Sequence, residues 1–255
     1  MLSKHSDIGV MSVGEPGIPN VRSRTTYEKP YVRSLFDRIA HRYDLLNHLL
    51  SFGIDVYWRK KAIRLLSRFQ PRRILDVATG TADLAIAATY LQPQQIIGVD
   101  LSNEMLNIGR QKIADKNLDA VVSLQAGDAE NLPFPDSSFD ALTVAFGIRN
   151  FSDFQQGLRE MHRVLQNRGV AVILEFSQPT VFPIRQLYSL YSKYVMPVVG
   201  GLISRQREAY EYLPSTVHEF PQSQEMIDIL LSAGFTSAEQ HRLTFGIATI
   251  YLATK

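Results

Sequence analysis

The stretch Arg73 to Ala85, RILDVATGTADLA, read together with GVD at Gly98 to Asp100, leaves this chain few folds to choose from. A short β-rich apolar run (Ile74, Leu75, Val77) ends in a turn of small residues, Ala78-Thr79-Gly80-Thr81-Ala82. A helix-type pattern follows from Asp83. About 20 residues after Gly80 a second apolar run, Ile96-Ile97-Gly98-Val99, ends in Asp100, which is the spacing of a nucleotide-binding βαβ unit. Small residues let backbone approach a ligand closely, and a carboxylate ending the second strand can accept hydrogen bonds from two ribose hydroxyls. The pattern predicts an adenosine-type ligand, and its alternative is a plain α/β turn that binds nothing.

What the turn lacks narrows the ligand. A dinucleotide turn needs Gly-x-Gly-x-x-Gly so that pyrophosphate can sit on amides at the helix N-terminus. Here one glycine is present, and Asp83 stands near where phosphate charge would go. A carboxylate there disfavours an anion and tolerates a cation. S-adenosylmethionine carries a sulfonium and an ammonium and no phosphate, so it fits better. A third strand over Val121 to Gln125 leads into Gly127-Asp128-Ala129, where Asp128 is placed to accept from an adenine amino group and the Ala129 amide to donate to a ring nitrogen. Leu132-Pro133-Phe134 would wall the ring. Open α/β sheets bind ligands at these strand ends.

Several segments carry a narrower match: Arg42-Tyr43-Asp44-Leu45-Leu46-Asn47, Ser51-Phe52-Gly53-Ile54 with Trp58-Arg59-Lys60, Phe146-Gly147-Ile148-Arg149-Asn150, Leu174-Glu175-Phe176-Ser177 and Tyr210-Glu211-Tyr212-Leu213. Through them the chain resembles the ubiquinone/menaquinone biosynthesis C-methyltransferases, a family of class I S-adenosylmethionine-dependent methyltransferases, from about Pro30 to the C-terminus. It departs from the family at Ala82, where glycine is common, at Ala145, where serine is common, and at Gln166-Asn167-Arg168-Gly169, usually Lys-Pro-Gly-Gly. An Ala82 methyl in the turn is expected to crowd the cofactor. The resemblance implies an α/β Rossmann-like fold: a mostly parallel seven-stranded sheet with a closing antiparallel hairpin and an N-terminal helical lid. The expected division is a flexible tail over 1–29 and one domain over 30–255, with the lid at 30–70 and a substrate-side insertion at 182–215.

Composition agrees with this reading. The chain has 255 residues, 45% of them hydrophobic, and a formal net charge of +2, so nothing points to nucleic acid. With no cysteine there is no disulfide or thiolate metal site, and the scattered histidines have no ligand spacing, so no metal is expected. No apolar run approaches the roughly 18 residues of a membrane span, and Met1 to Tyr27 lacks a signal-peptide core, so a cytoplasmic protein is expected. Val32, Leu35, Phe36, Ile39, Tyr43, Leu46 and Leu50 predict one amphipathic helix, and Trp58, Ala62, Leu65, Leu66 and Phe69 a second. Phe154, Leu158, Met161 and Leu165 predict another. Ser223 is read as the N-cap of a helix carrying Met226, Ile227, Leu230 and Leu231.

Methyl transfer is an in-line displacement, so the site must align a nucleophile with an already activated methyl group. A ring carbon becomes a good nucleophile once a neighbouring hydroxyl loses its proton. The expected catalytic residues are Arg149, to hold the resulting anion, Asn150, to orient a ring oxygen or a water, and Tyr43, to donate to the other ring oxygen. For the base, a water aided by Arg149 and His48 stand as equal candidates. The expected cofactor contacts are Gly80, Thr81, Asp100, Asp128, Ala129 and Ala145. The family implies a prenylated quinol substrate, demethylmenaquinol converted to menaquinol, with a benzoquinol of ubiquinone biosynthesis, another acceptor, or a non-catalytic cofactor-binding subunit as alternatives. Phe182 to Ile203, rich in tyrosine and aliphatic residues with basic flanks, is a candidate tail channel, peripheral membrane contact at the inner membrane surface, buried helix or homodimer contact.

Overall fold

The computed structural model describes residues 27–195, residue 198 and residues 215–255. Most of the expected tail, the Gly200-Gly201 pair, Arg205 and the Tyr210-Glu211-Tyr212-Leu213 segment lie outside the described residues.

The three apolar runs read as strands form β1 (Arg73–Val77), β2 (Gln95–Asp100) and β3 (Val122–Ala126), and β4 (Phe139–Ala145), β5 (Leu165–Phe176), β6 (Ser237–Leu243) and β7 (Ala248–Thr254) complete the set. They make one seven-stranded sheet in the order β3-β2-β1-β4-β5-β7-β6. The first five pair in parallel, and β7 runs antiparallel between β5 and β6 as a closing hairpin. Because successive side chains on a strand point to opposite faces, β5 sends Val170, Val172 and Leu174 to one core and Ala171 and Ile173 to the other. Both faces are covered, which is why β1, β4 and β5 read as nearly continuous apolar runs.

Helices α2 (Ile54–Leu66), α3 (Asp83–Ala88) and α4 (Asn103–Asp115) cover one face. The other is covered by α5 (Phe154–Val164) and, further along the chain, the helix Gln224–Ser232. The amphipathic helix α1 (Lys29–Leu50) packs Leu35, Ile39, Ala40 and Leu46 against Met105 of α4. Beyond β5 the chain forms α6 (Ile184–Leu190), which runs into a wider turn of helix over Tyr191–Val195; the helix Gln224–Ser232 is α7.

Three local expectations change. Phe69 leaves the α2 stripe for a short 3-10 turn and is exposed, and Leu165 opens β5 rather than ending α5. Ser223 precedes α7, but its side chain makes no capping bond. Its φ is +56° and its amide donates instead to the Tyr251 hydroxyl at 3.0 Å, so a tertiary contact replaces the local cap.

Candidate active site: two cavities sharing Phe146

Two cavities meet at Phe146, which is buried and has a left-handed φ of +57° at the end of β4. Such a conformation costs an aromatic residue energy and is held only where its surroundings fix it. Here Phe146 stacks on Phe176 with ring centroids 4.4 Å apart and packs against Trp58. Next to it the strand ends approach closely: a Cβ on Gly147 would lie 2.5 Å from the Ala78 methyl, so the backbone there needs glycine.

The first cavity takes in about 720 Å³, its open mouth included, and lies over the carboxyl ends of β1, β2, β3 and β4. Asp100 accepts from the Gly80 amide at 2.8 Å through Oδ2 and from the Ser102 amide at 2.9 Å through Oδ1. Burial raises its pKa, against the pull of those amide bonds. Asp128 accepts from the Glu130 amide at 2.9 Å and from the Lys29 ammonium at 2.6 Å. Lys29 also meets Glu130 at 2.8 Å; burial opposes its charge, but the two carboxylates win and raise its pKa. Backbone amides of Gly80, Leu101 and Ser102 hold the Asp100 carboxylate, which has about four acceptor sites in all. Carboxylates at the floor, with no phosphate-type amide nest, suit a hydroxyl-rich cationic ligand. Gly80, Asp100, Asp128, Ala129, Ala145, Asn150 and Tyr43 all line this cavity.

Thr81 and Arg149 do not line it. Thr81 is buried and donates to Asp44 of α1 at 2.6 Å. Lys112 of α4 closes that junction, 2.7 Å from Asp44 and 2.5 Å from Asp83. Arg149 is buried behind the wall, 2.7 Å from the fully buried Glu175, and donates to the Phe146 carbonyl. Its charge nevertheless reaches both cavities, since it favours the anionic form of Tyr43 and of Tyr188. Burial outweighs that help and raises the pKa of Tyr43, while Tyr188 is pushed up to about 12. Ala82 has a φ of +66° and no exposed surface, and a Cβ added at Gly109 of α4 would lie 3.2 Å from its methyl. The methyl therefore packs toward α4 and does not crowd the cavity.

The second cavity, about 970 Å³ on the same measure, is chiefly apolar. Its walls come from the end of α1 (Asn47, Leu50), from α2, from Phe176, from α6 and from the connection between β6 and β7. Trp58 is fixed there by an Nε1 bond to Thr244 Oγ1 at 2.7 Å. Nδ2 of Asn47 is buried without a hydrogen-bond partner. It sits near enough to Tyr43 to favour the phenolate without reaching hydrogen-bond geometry. The sequence singles out the Ser51-Phe52-Gly53-Ile54 and Trp58-Arg59-Lys60 segments and the Phe182 to Ile203 stretch, which supply much of this wall, but nothing in it points to Thr244. Among the described residues no group of three or more His, Cys, Asp or Glu could hold a metal ion.

Comparison with known proteins agrees with this geometry. Residues 24–255 match the model of the ubiE/COQ5 methyltransferase family. A demethylmenaquinone methyltransferase of Bacteroides fragilis is 50% identical over 225 residues, 88% of this chain and 92% of that protein. A ubiquinone/menaquinone biosynthesis C-methyltransferase of Geotalea uraniireducens is 47% identical, over 88% of this chain and 96% of that protein. Among solved structures, an S-adenosylmethionine-dependent methyltransferase of Thermotoga maritima superposes with a TM-score of 0.60 at 21% identity, covering 87% of this chain and 99% of that one. The chain belongs to the ubiE/COQ5 methyltransferase family.

Proposed function

We propose that this member of the ubiE/COQ5 methyltransferase family transfers a methyl group from S-adenosyl-L-methionine to a ring carbon of a prenylated naphthoquinol, converting demethylmenaquinol to menaquinol. The observation that carries this reading is the unpartnered Asn47 amide in a chiefly apolar cavity that shares Phe146 with the carboxylate-floored one. A buried donor without a partner is costly, and an apolar ring bearing oxygens would satisfy it.

S-adenosylmethionine, when bound, supplies a methyl group made electrophilic by its sulfonium. Asp100 would accept the ribose hydroxyls, Asp128 and the Ala129 amide would take the adenine edge, and Gly80 and Ala145 leave room for the rest. Thr81 supports that turn through Asp44 and Lys112 rather than by touching the ligand. Helix α1 serves as a lid, held at one end by Lys29 on Asp128 and Glu130 and at the other by Asp44. At the acceptor, Tyr43, Asn47 and Asn150 orient ring oxygens. Arg149 acts as a fixed positive charge behind the wall, favouring the ring oxyanion as it favours the Tyr43 anion.

Phe52 and Leu187 of the second cavity's wall are exposed, as are Phe182, Leu190 and Tyr194 on and beside α6, and together they are taken as its rim. Among the described residues no helix is long and apolar enough to cross a membrane. This rim is the proposed mouth for the prenyl tail, resting on the inner membrane surface with the body of the enzyme in the cytoplasm. Leu190→Asp with Tyr194→Asp should abolish binding to anionic phospholipid vesicles. Unchanged vesicle binding with loss of a dimer would assign the rim to a homodimer instead.

The central test is methyl incorporation from labelled S-adenosylmethionine into reduced prenylated naphthoquinol and benzoquinol, with Asp100→Ala beside the wild type. Naphthoquinol product that collapses in a folded Asp100→Ala protein is expected. Benzoquinol product alone would move the assignment to ubiquinone biosynthesis, and silence on both rings with cofactor binding intact would overturn the quinol reading.

A further inference from the structure

Among the described residues lining the apolar cavity, Asp55 alone carries a charge. It is buried, yet its carboxylate is well supplied with partners. Oδ1 accepts from Ser51 Oγ at 2.7 Å, and Oδ2 lies 2.5 Å from Arg59 and 2.7 Å from Nδ1 of His48. Burial alone would raise the Asp55 pKa, but the bonds from Ser51 and Arg59 win and hold it below the usual carboxylate range. His48 is not part of the cavity wall, and its side chain is 45% exposed. The three residues therefore form a line of hydrogen-bonding groups: Ser51 and Asp55 at the wall, His48 beyond them, then solvent.

We propose that Asp55 and His48 are the proton outlet of the acceptor cavity, taking the hydroxyl proton of the bound ring and passing it to solvent. The inference rests on the quinol reading and names the base that the sequence left open between His48 and a water aided by Arg149. In the step, the ring O–H bond breaks and its electron pair stays on the ring oxygen. The proton reaches the Asp55 carboxylate directly or by exchange through Ser51 Oγ. At rest Asp55 is ionised and accepts from Nδ1–H of His48. A carboxylate with a depressed pKa does not retain the ring proton, so once exchange with solvent has moved the imidazole hydrogen from Nδ1 to Nε2, Nδ1 takes that proton from Asp55. The imidazolium then releases its Nε2 proton to solvent, which returns the dyad to its starting state. A water held by Arg149 is the weaker candidate, because Arg149 lines neither cavity. Asp55 is the catalytic group, since it faces the acceptor; His48 acts through it.

The charges bearing on the dyad are Arg59 of α2 and, 3.6 Å from Arg59, Asp83 of α3. Tyr188 of α6, across the cavity, stays neutral because burial holds its pKa near 12.

The test compares wild type with His48→Asn, His48→Ala and Asp55→Asn in the quinol methylation assay, with cofactor affinity measured by calorimetry. His48→Asn keeps an N–H where Nδ1 donates but cannot take up a proton, so it separates a relay from a structural tie. Wild-type activity is expected to fall about a hundredfold in kcat in each variant, the usual worth of a positioned base, with cofactor affinity unchanged. The acidic limb of the kcat–pH profile should vanish in the histidine variants, and added imidazole should restore His48→Ala. Full activity and an unaltered pH profile in His48→Asn would overturn the proposal, even with the wild type active on the quinol. If the wild type itself gives no product on any quinol, the functional reading fails and this role fails with it.

Discussion

The two cavities on either side of Phe146 were built by different means. The polar one has its carboxylate floor at the ends of neighbouring parallel strands, each aspartate within a few residues of the strand that aims it, with Lys29 and Tyr43 added from α1. The apolar one gathers side chains from Asn47 to Ile247, and its Trp58–Thr244 bond joins residues 186 apart in the chain. A strand end is a local device, and its ligand chemistry travels with a short motif. A helix-walled cavity is a tertiary product, and its shape depends on how distant segments dock. Asp100 of the polar cavity is held by backbone amides, whereas Asp55 and Trp58 of the apolar one are held by side chains.

The wall between the two cavities should be the most sensitive place to break. Arg149→Met strands the fully buried Glu175, and loss of one partner of a buried pair costs about 3–5 kcal/mol. Urea unfolding checks this. Adding Glu175→Gln, which keeps an acceptor for the Phe176 amide and removes the stranded charge, should return part of the loss. A purely substrate-binding arginine would leave stability untouched.

Under the polar cavity, Asp76 of β1 is buried and accepts from Thr79 and Thr143, each at 2.6 Å. Burial prevails over those bonds and pushes its pKa up to about 6, from an ordinary 3.8. A raised carboxylate pKa means that the folded state holds the proton more tightly than the unfolded chain. The contribution is therefore complete below about pH 4 and is lost as pH rises through about 6, a change of about 3 kcal/mol. The difference in unfolding free energy between wild type and Asp76→Asn, followed from pH 4 to 7, should show that slope in the wild type. Parallel profiles would remove Asp76 as its source.

On the apolar side, Trp58→Phe removes the bond to Thr244 and loosens the wall behind Phe146. The quinol KM should rise about fivefold to tenfold, on the order of 1 kcal/mol, with cofactor affinity unchanged. Equal losses on both sides would mean that the cavities respond as one unit. The smallest effect is expected at Ala82. Ala82→Gly relieves a left-handed alanine but removes a buried methyl near α4, so stability should change by less than about 1 kcal/mol. Cofactor affinity should not move, and a clear gain in affinity would show that the methyl does crowd the ligand.

The strand-turn-helix run at Arg73 to Ala85 with Asp100 and Asp128 was enough to give the βαβ start of the sheet and the carboxylates of the polar cavity, because side-chain alternation and turn chemistry act over a few residues, while the full sheet and its closing hairpin came from the family resemblance. The same local reading misplaced Thr81 and Arg149 as cavity-facing groups. Which way a side chain leaves a turn depends on what it meets, and these two meet Asp44 of α1 and Glu175 of β5. It also gave Ser223 a cap that Tyr251 replaced. His48 and Asp55 could be seen in the sequence as two polar residues seven apart, spanning the end of one helix and the start of the next. Only the fold of that junction brings Nδ1 to 2.7 Å from a carboxylate and sets the carboxylate in an apolar wall. The sequence by itself determined the sheet and the chemistry written at its strand ends, where covalent neighbours fix geometry. The tertiary structure decided what faces what across the acceptor cavity, where geometry is set by the packing of segments that the chain keeps far apart.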